Sequence, residues 1–258
     1  MKKIILWIIL SLPYLRIWSQ ELFVNSEPAS NMAARALGLR MNQEIKPTNA
    51  NTAYRLNPEL MAGLSSRLMI HFNTYLSSIY QNDLKWEGFS VYGKYRLISE
   101  DSRQSHFRVS TYGRISYSQD PPNFNEINLQ GDNSGWLGGL VITQLLHKLA
   151  LSTSLDYDHS FQNGDNQMAY TLSGGYLVFP HQYTSYKQTN MNIYLELLGK
   201  SSLEGLGNYL DIAPSIQFIF NSKTRLDFSY ETPIEGNLSR YSGKTFLIRL
   251  EYNLFNAF

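Results

Sequence analysis

The feature that most restricts how this chain can fold is a period-two alternation of apolar and polar residues, cleanest in its closing stretch. Between Phe246 and Phe258, the residues Phe246, Ile248, Leu250, Tyr252 and Leu254 alternate with Leu247, Arg249, Glu251 and Asn253. Successive side chains of a strand point to opposite faces, so this pattern builds a strand with one apolar and one polar side. Comparable segments recur at 36–46, 52–64, 68–78, 88–98, 104–118, 133–146, 149–161, 168–179, 187–198, 208–220, 224–231 and 243–256, with no persuasive helix between them. Most reach the roughly 9–11 residues that a tilted strand needs to cross a bilayer, against roughly 5–6 for strands of soluble sheets. The chain therefore reads as all-β, and strand length favours an antiparallel transmembrane β-barrel of about 12 strands over a soluble sandwich.

Faces and connections point the same way. The third segment offers Leu68, Ile70, Phe72, Thr74 and Leu76 on one face, and the tenth offers Leu210, Ile212, Pro214, Ile216, Phe218 and Phe220. Neither set carries a charge, as lipid requires: Arg or Lys facing mid-bilayer costs roughly 2–4 kcal/mol. Connections at 47–51, 79–87, 119–132, 162–167, 199–207 and 232–242 are mostly long and rich in Asn, Asp, Gly and Pro. Those at 65–67, 99–103, 147–148 and 221–223 are short, and 180–186 is longer than its class prefers. Long outer loops alternating with short periplasmic turns is the outer-membrane pattern, and an even strand count puts both termini on the short-turn side. The sixth segment, Gly135-Trp136-Leu137-Gly138-Gly139-Leu140-Val141-Ile142, is apolar on both faces and leaves its facing open. Pro58 and Pro214 each remove a ladder donor and predict a bulge or an edge.

The start of the chain supplies a route to the envelope. Lys2 and Lys3 precede the short apolar run Ile4–Leu12, broken by Pro13, which predicts a signal peptide over 1–19 with cleavage near Ser19-Gln20. Residues 20–35 then form an irregular N-terminal arm, too short for a plug domain, and 36–258 form the barrel. The 258 residues include no Cys, which excludes a lipoprotein anchor, disulfides, thiolate metal sites and Cys nucleophiles. A net charge of +1 carries no nucleic-acid footprint. After residue 20 no apolar run is long enough for a helical span, so membrane passage requires a closed barrel.

Several stretches resemble poorly characterised, porin-like outer-membrane β-barrel proteins of Gram-negative bacteria. They are Ser26-Glu27-Pro28-Ala29-Ser30-Asn31-Met32 with Gly38-Leu39-Arg40, Gly131-Asp132-Asn133-Ser134-Gly135, Thr143-Gln144-Leu145-Leu146-His147-Lys148, Asp211-Ile212-Ala213-Pro214-Ser215-Ile216-Gln217 and the closing strand. The resemblance implies a barrel in the outer membrane, in contact with its lipid, and brings no substrate, cofactor or catalytic residue. A last strand closing on Phe is similar to the C-terminal signal of such barrels. It implies that Tyr252 and Phe258 are read by the barrel-assembly machinery.

With this alternation, one wall of the lumen carries the basic set Arg40, Arg55, His71, Lys94, Arg96, Arg108 and Arg114, with Glu44 and Glu59 among them. The other carries the acidic set Asp156, Asp158, Glu196, Asp211, Asp227, Glu231 and Glu251, with Arg225 and Arg249 among them. Two readings fit: a transverse field across a water-filled pore for small polar solutes, or cross-lumen pairing that seals a barrel of this size. Chemistry is sparse. In Asp156-Tyr157-Asp158-His159-Ser160, His159 and Ser160 are adjacent and point to opposite faces, so they cannot act as base and nucleophile together. Gly131–Gly135 is closer to a turn than to a calcium loop, and His71 has no second ligand at metal spacing. A pore is therefore expected ahead of a structural or adhesive barrel working through 119–132 and 232–242, with a barrel hydrolase third.

Overall fold

Alternating segments of this length must pair with one another or leave their backbone groups unsatisfied in lipid, and closure into a ring satisfies all of them. The computed structural model describes residues 23–258 except 49–50, 81–82, 103–104, 183–184 and 186, so the expected signal peptide lies outside the described residues. Among the described residues there are twelve strands and no helix. They are β1 (Leu37–Pro47), β2 (Thr52–Gly63), β3 (Leu68–Ser77), β4 (Lys85–Asp101), β5 (Ser105–Ser118), β6 (Gly135–Leu146), β7 (Leu149–Ser160), β8 (Asn166–Phe179), β9 (Asn190–Ser202), β10 (Asn208–Phe220), β11 (Thr224–Gly236) and β12 (Thr245–Leu254). Each pairs antiparallel with its chain neighbours, and β1 pairs with β12 from Leu37↔Leu254 to Ile45↔Phe246, closing the barrel.

The faces follow the expected parity. Leu39, Phe72, Phe89, Ile115, Leu155, Leu195 and Leu250 are exposed on the outside, whereas Arg40, His71, Ser90, Ser116, Glu196 and Glu251 are buried within. The undecided β6 turns Trp136, Leu140 and Ile142 outward and Val141, Thr143 and Leu145 inward. The long connections gather at one end of the barrel. The shorter ones, the start of β1 and the end of β12 gather at the other, where 180–189 remains the long exception.

The two prolines do something different from the expected bulge or edge. Pro58 keeps its partner Met41 on β1, but β2–β3 pairing lapses between Leu56↔Leu76 and Glu59↔Asn73 and resumes in the same register. Pro214 keeps Leu195 on β9, and β10–β11 pairing lapses in the same way between Ile212↔Thr232 and Ser215↔Ser229. A missing N–H interrupts a ladder without shifting it. The third internal proline, Pro233, does sit at a bulge, opposite Asp211.

Candidate functional site

The interior is polar, and its main occupant is the N-terminal arm. Residues 23–31 are irregular and cross the lumen. Phe23, Val24 and Ala29 are at most 1% exposed, although they belong to no strand. Phe23 packs edge-on against Tyr194 at 5.5 Å between ring centroids, in an apolar cluster with Val24, Leu145, Ala150 and Leu247. Gly175 makes room for this: a Cβ there would lie 2.3 Å from the Tyr194 ring.

The arm is held by its main chain and by its side chains alike. Glu196, fully buried on β9, accepts the backbone N–H groups of Val24 (3.1 Å), Asn25 (2.8 Å) and Ser26 (2.9 Å). The Ser26 hydroxyl also donates to Glu196 at 2.6 Å and lies 2.8 Å from the Ser173 Oγ. Further along, Lys94 Nζ donates to the Pro28 carbonyl at 2.6 Å. Ala29 donates its N–H to Thr143 Oγ1 at 2.8 Å and accepts from Ser110 Oγ at 2.6 Å. Arg225 Nη2 donates to the Phe23 carbonyl at 3.2 Å, Asn25 Nδ2 reaches Ser229 at 2.9 Å, and Arg108 Nη1 donates to Ser30 Oγ at 2.7 Å. These partners lie on β4, β5, β6, β8, β9 and β11, so the arm spans the lumen rather than lining one side.

The charges expected on the walls are inside and engaged locally. Arg40 reaches Glu251 (2.8 Å), Glu59 (3.1 Å) and Glu27 of the arm (3.1 Å). His71 Nδ1 lies 2.5 Å from Glu59 and its ring lies against Tyr92. Arg55 pairs with Glu87 at 3.0 Å and with Asp132, and Lys94 also lies 3.5 Å from Glu27. Arg108 pairs with Asp101 at 3.1 Å. Among the described residues Arg114 pairs with no carboxylate: it donates to Tyr75 Oη (2.9 Å) and Ser90 Oγ (3.3 Å) and lies over the Tyr92 ring. Arg96 is half-buried at the β4 bulge between Arg96 and Ile98.

On the other side, Asp158 pairs with Lys200 (3.0 Å), and Asp156 accepts from Tyr112 Oη at 2.5 Å. Asp227 pairs with Arg225 (2.7 Å) and Arg249 (3.6 Å), and Glu251 also with Arg225 (3.5 Å). Asp211 pairs with Arg240, and Glu231 is half-buried on β11. The counter-charges thus come from the same or nearby strands, from the arm and from the long connections. Glu87 and Lys200 were missed because the expected strands stop one residue short at 88 and two short at 198.

The long connections fold inward at their end of the barrel. In 119–134, Ile127 and Leu129 are buried, Asn133 accepts from its own loop, and Asp132 reaches Arg55 and Tyr80. The stretch considered for calcium is therefore committed to side-chain partners. Lys200 Nζ donates to the Ile127 carbonyl at 2.6 Å, and Tyr209 Oη to Glu126 at 2.8 Å. Connection 237–244 meets it: Glu126 N donates to the Ser239 carbonyl at 3.0 Å, and Phe124 packs on Tyr241. Arg240 anchors that connection to Asp211. Burial works against its charge, and the bidentate carboxylate outweighs this, raising its pKa above the usual arginine range. His159 bonds Asn166 on the outer face while Ser160 is buried inside, so no catalytic pair forms.

Tyr252 and Phe258, the residues expected to act as an assembly signal, are both exposed. Tyr252 lies on the outer face of β12 opposite Leu39, and the Phe258 carbonyl accepts from Arg35 Nε beside an Ala257 N–H to Arg35 carbonyl bond of 2.8 Å.

No family model and no curated protein matches the sequence. Solved structures match the fold. An outer-membrane channel from Pseudomonas putida F1 superposes with a TM-score of 0.60 at 12% identity, covering 90% of this chain and 100% of that one. The NanC porin does so with a TM-score of 0.52 at 12% identity, covering 84% and 100%. Taken with the apolar outside, the polar inside and the closed seam, these likenesses show that the described residues fold as a twelve-stranded β-barrel of the outer-membrane type.

Proposed function

We propose that the protein is a passive pore for small polar solutes in the outer membrane. The observation that carries this reading is the content of the lumen. The lumen is filled by ion pairs, hydroxyls and a polar arm, where a sealed structural barrel would be expected to pack its own wall side chains together. The arm leads directly into β1, is tied to the walls by hydrogen bonds and ion pairs, and can leave its place without breaking a strand. The adhesive alternative draws less support, because its two longest candidate loops turn into the mouth and bond to wall residues such as Lys200 and Asp211.

Folded full-length protein placed in planar bilayers should conduct. Replacing Arg96, Arg108 and Arg114 together by Gln should shift reversal potentials towards cation selectivity, since the lumen then loses three positive charges while its carboxylates remain. Electrically silent bilayers containing heat-modifiable, correctly folded protein would overturn the reading.

A further inference from the structure

The way the arm is held names a ligand class. From Phe23 to Ala29 the lumen contacts main-chain groups in a row. It takes three successive N–H groups at Glu196 and one at Thr143, and it donates to carbonyls from Arg225, Lys94 and Ser110. Beside the Glu196 end is an apolar recess holding Phe23 and Val24 against Tyr194 and Leu145. Glu196 is fully buried and its contacts are all hydrogen-bond donors, with no cation within ion-pair distance among the described residues. Without the arm it keeps only the Ser173 hydroxyl of these donors, three of the five that the arm supplies being main-chain N–H groups, and a buried carboxylate left so bare is costly. Main-chain contacts of this kind, here made to a bent backbone, read a peptide largely whatever its sequence, while pockets for single side chains add preference.

We infer that the lumen is a peptide-binding site, that the arm occupies it as a tethered surrogate ligand, and that the solutes of the pore are short peptides carrying an apolar residue at the Glu196 end. The inference rests on the pore reading for transport, but not for binding. A segment tethered in cis competes at high effective concentration, so incoming peptide binds well only where the arm yields.

The chain contains no Cys, so the arm can be locked in place by design. The Ser26 and Ser173 hydroxyl oxygens lie 2.8 Å apart, within reach of a disulfide in Ser26→Cys/Ser173→Cys. The experiment measures fluorescence anisotropy of a labelled peptide of sequence Phe-Val-Asn-Ser-Glu-Pro-Ala-Ser-Asn on full-length protein in detergent, with heat-modifiable mobility as the check of folding. Phe23→Ser should raise affinity about tenfold or more over wild type by weakening the competing arm. The double-cysteine protein should bind when reduced and lose binding when oxidised. Unrelated octapeptides beginning with an aromatic or aliphatic residue should compete to within about tenfold, and maltohexaose should not.

Binding unchanged by oxidation would overturn the inference. So would competition by the native sequence alone, equal competition by the sugar, or no binding by either the Phe23→Ser or the reduced protein. Peptide binding with silent bilayers would uphold the site and remove the pore, whereas conduction without peptide binding would remove the site and leave the pore.

Discussion

Arg40 shows how individual residues hold this barrel together. It joins β1 to β2 through Glu59, to β12 through Glu251 and to the arm through Glu27. Arg40→Met keeps the length of the side chain and strands carboxylates that are buried on β2 and β12. It should lower stability by about 3–5 kcal/mol, read as a shift in the urea midpoint of the folded form in detergent. Arg114→Gln should cost less, about 1–3 kcal/mol, because Tyr75 and Ser90 lose a donor and no carboxylate loses its only counter-charge. That these side chains face inward was legible from parity alone. Which charge each would meet was not. Asp132 reaches Arg55 from a connection, Glu27 reaches Arg40 from the arm, and Lys200 meets Asp158 from a strand that runs longer than its hydropathy pattern. Alternation fixes the side of a sheet a residue takes. It carries no information about contacts made across a lumen.

Among the elements, the strands were the most readable part of the sequence and the arm the least. β10 spans 208–220 as its pattern predicts, while β4 extends to Asp101 and β11 to Gly236 because polar strand ends outside the bilayer need no alternation to stay paired. The arm has no periodicity to betray it, and its small polar residues look like a loop whether they face water or a lumen. Only the buried Phe23 and Val24 distinguish it, and both are unremarkable in sequence. The last strand invites a direct test. Leu37–Ile45 is paired to it along its length, and the chain beyond it is tied to Arg35. Deleting Phe258 removes no ladder bond, so the finished barrel should keep its stability. If Phe258 is the assembly signal, the deletion should instead cut the amount inserted in the outer membrane, measured by heat-modifiable mobility of membrane fractions, while leaving export to the periplasm unchanged.

At the scale of the whole molecule, two segments enter the same lumen from opposite ends. The arm comes from the end where the seam begins, and connection 119–134 comes from the end of the long loops, meeting walls at Lys200 and Arg55. Fold class, strand number and facing follow from local patterns that repeat. This double occupancy depends on residues far apart in the chain, such as Asn25 with Ser229 and Glu126 with Ser239, and so emerges only in three dimensions. The inward turn of the two long connections also decides what the cell displays. At their end of the barrel, brief turns such as 161–165 and 203–207, where Phe161, Leu203 and Leu206 stand exposed, share the surface with exposed residues of the two connections, among them Pro121, Asn123, Asn125 and Asn237. Antibodies or phage approaching from outside would meet brief turns beside connections that are already anchored to the barrel wall.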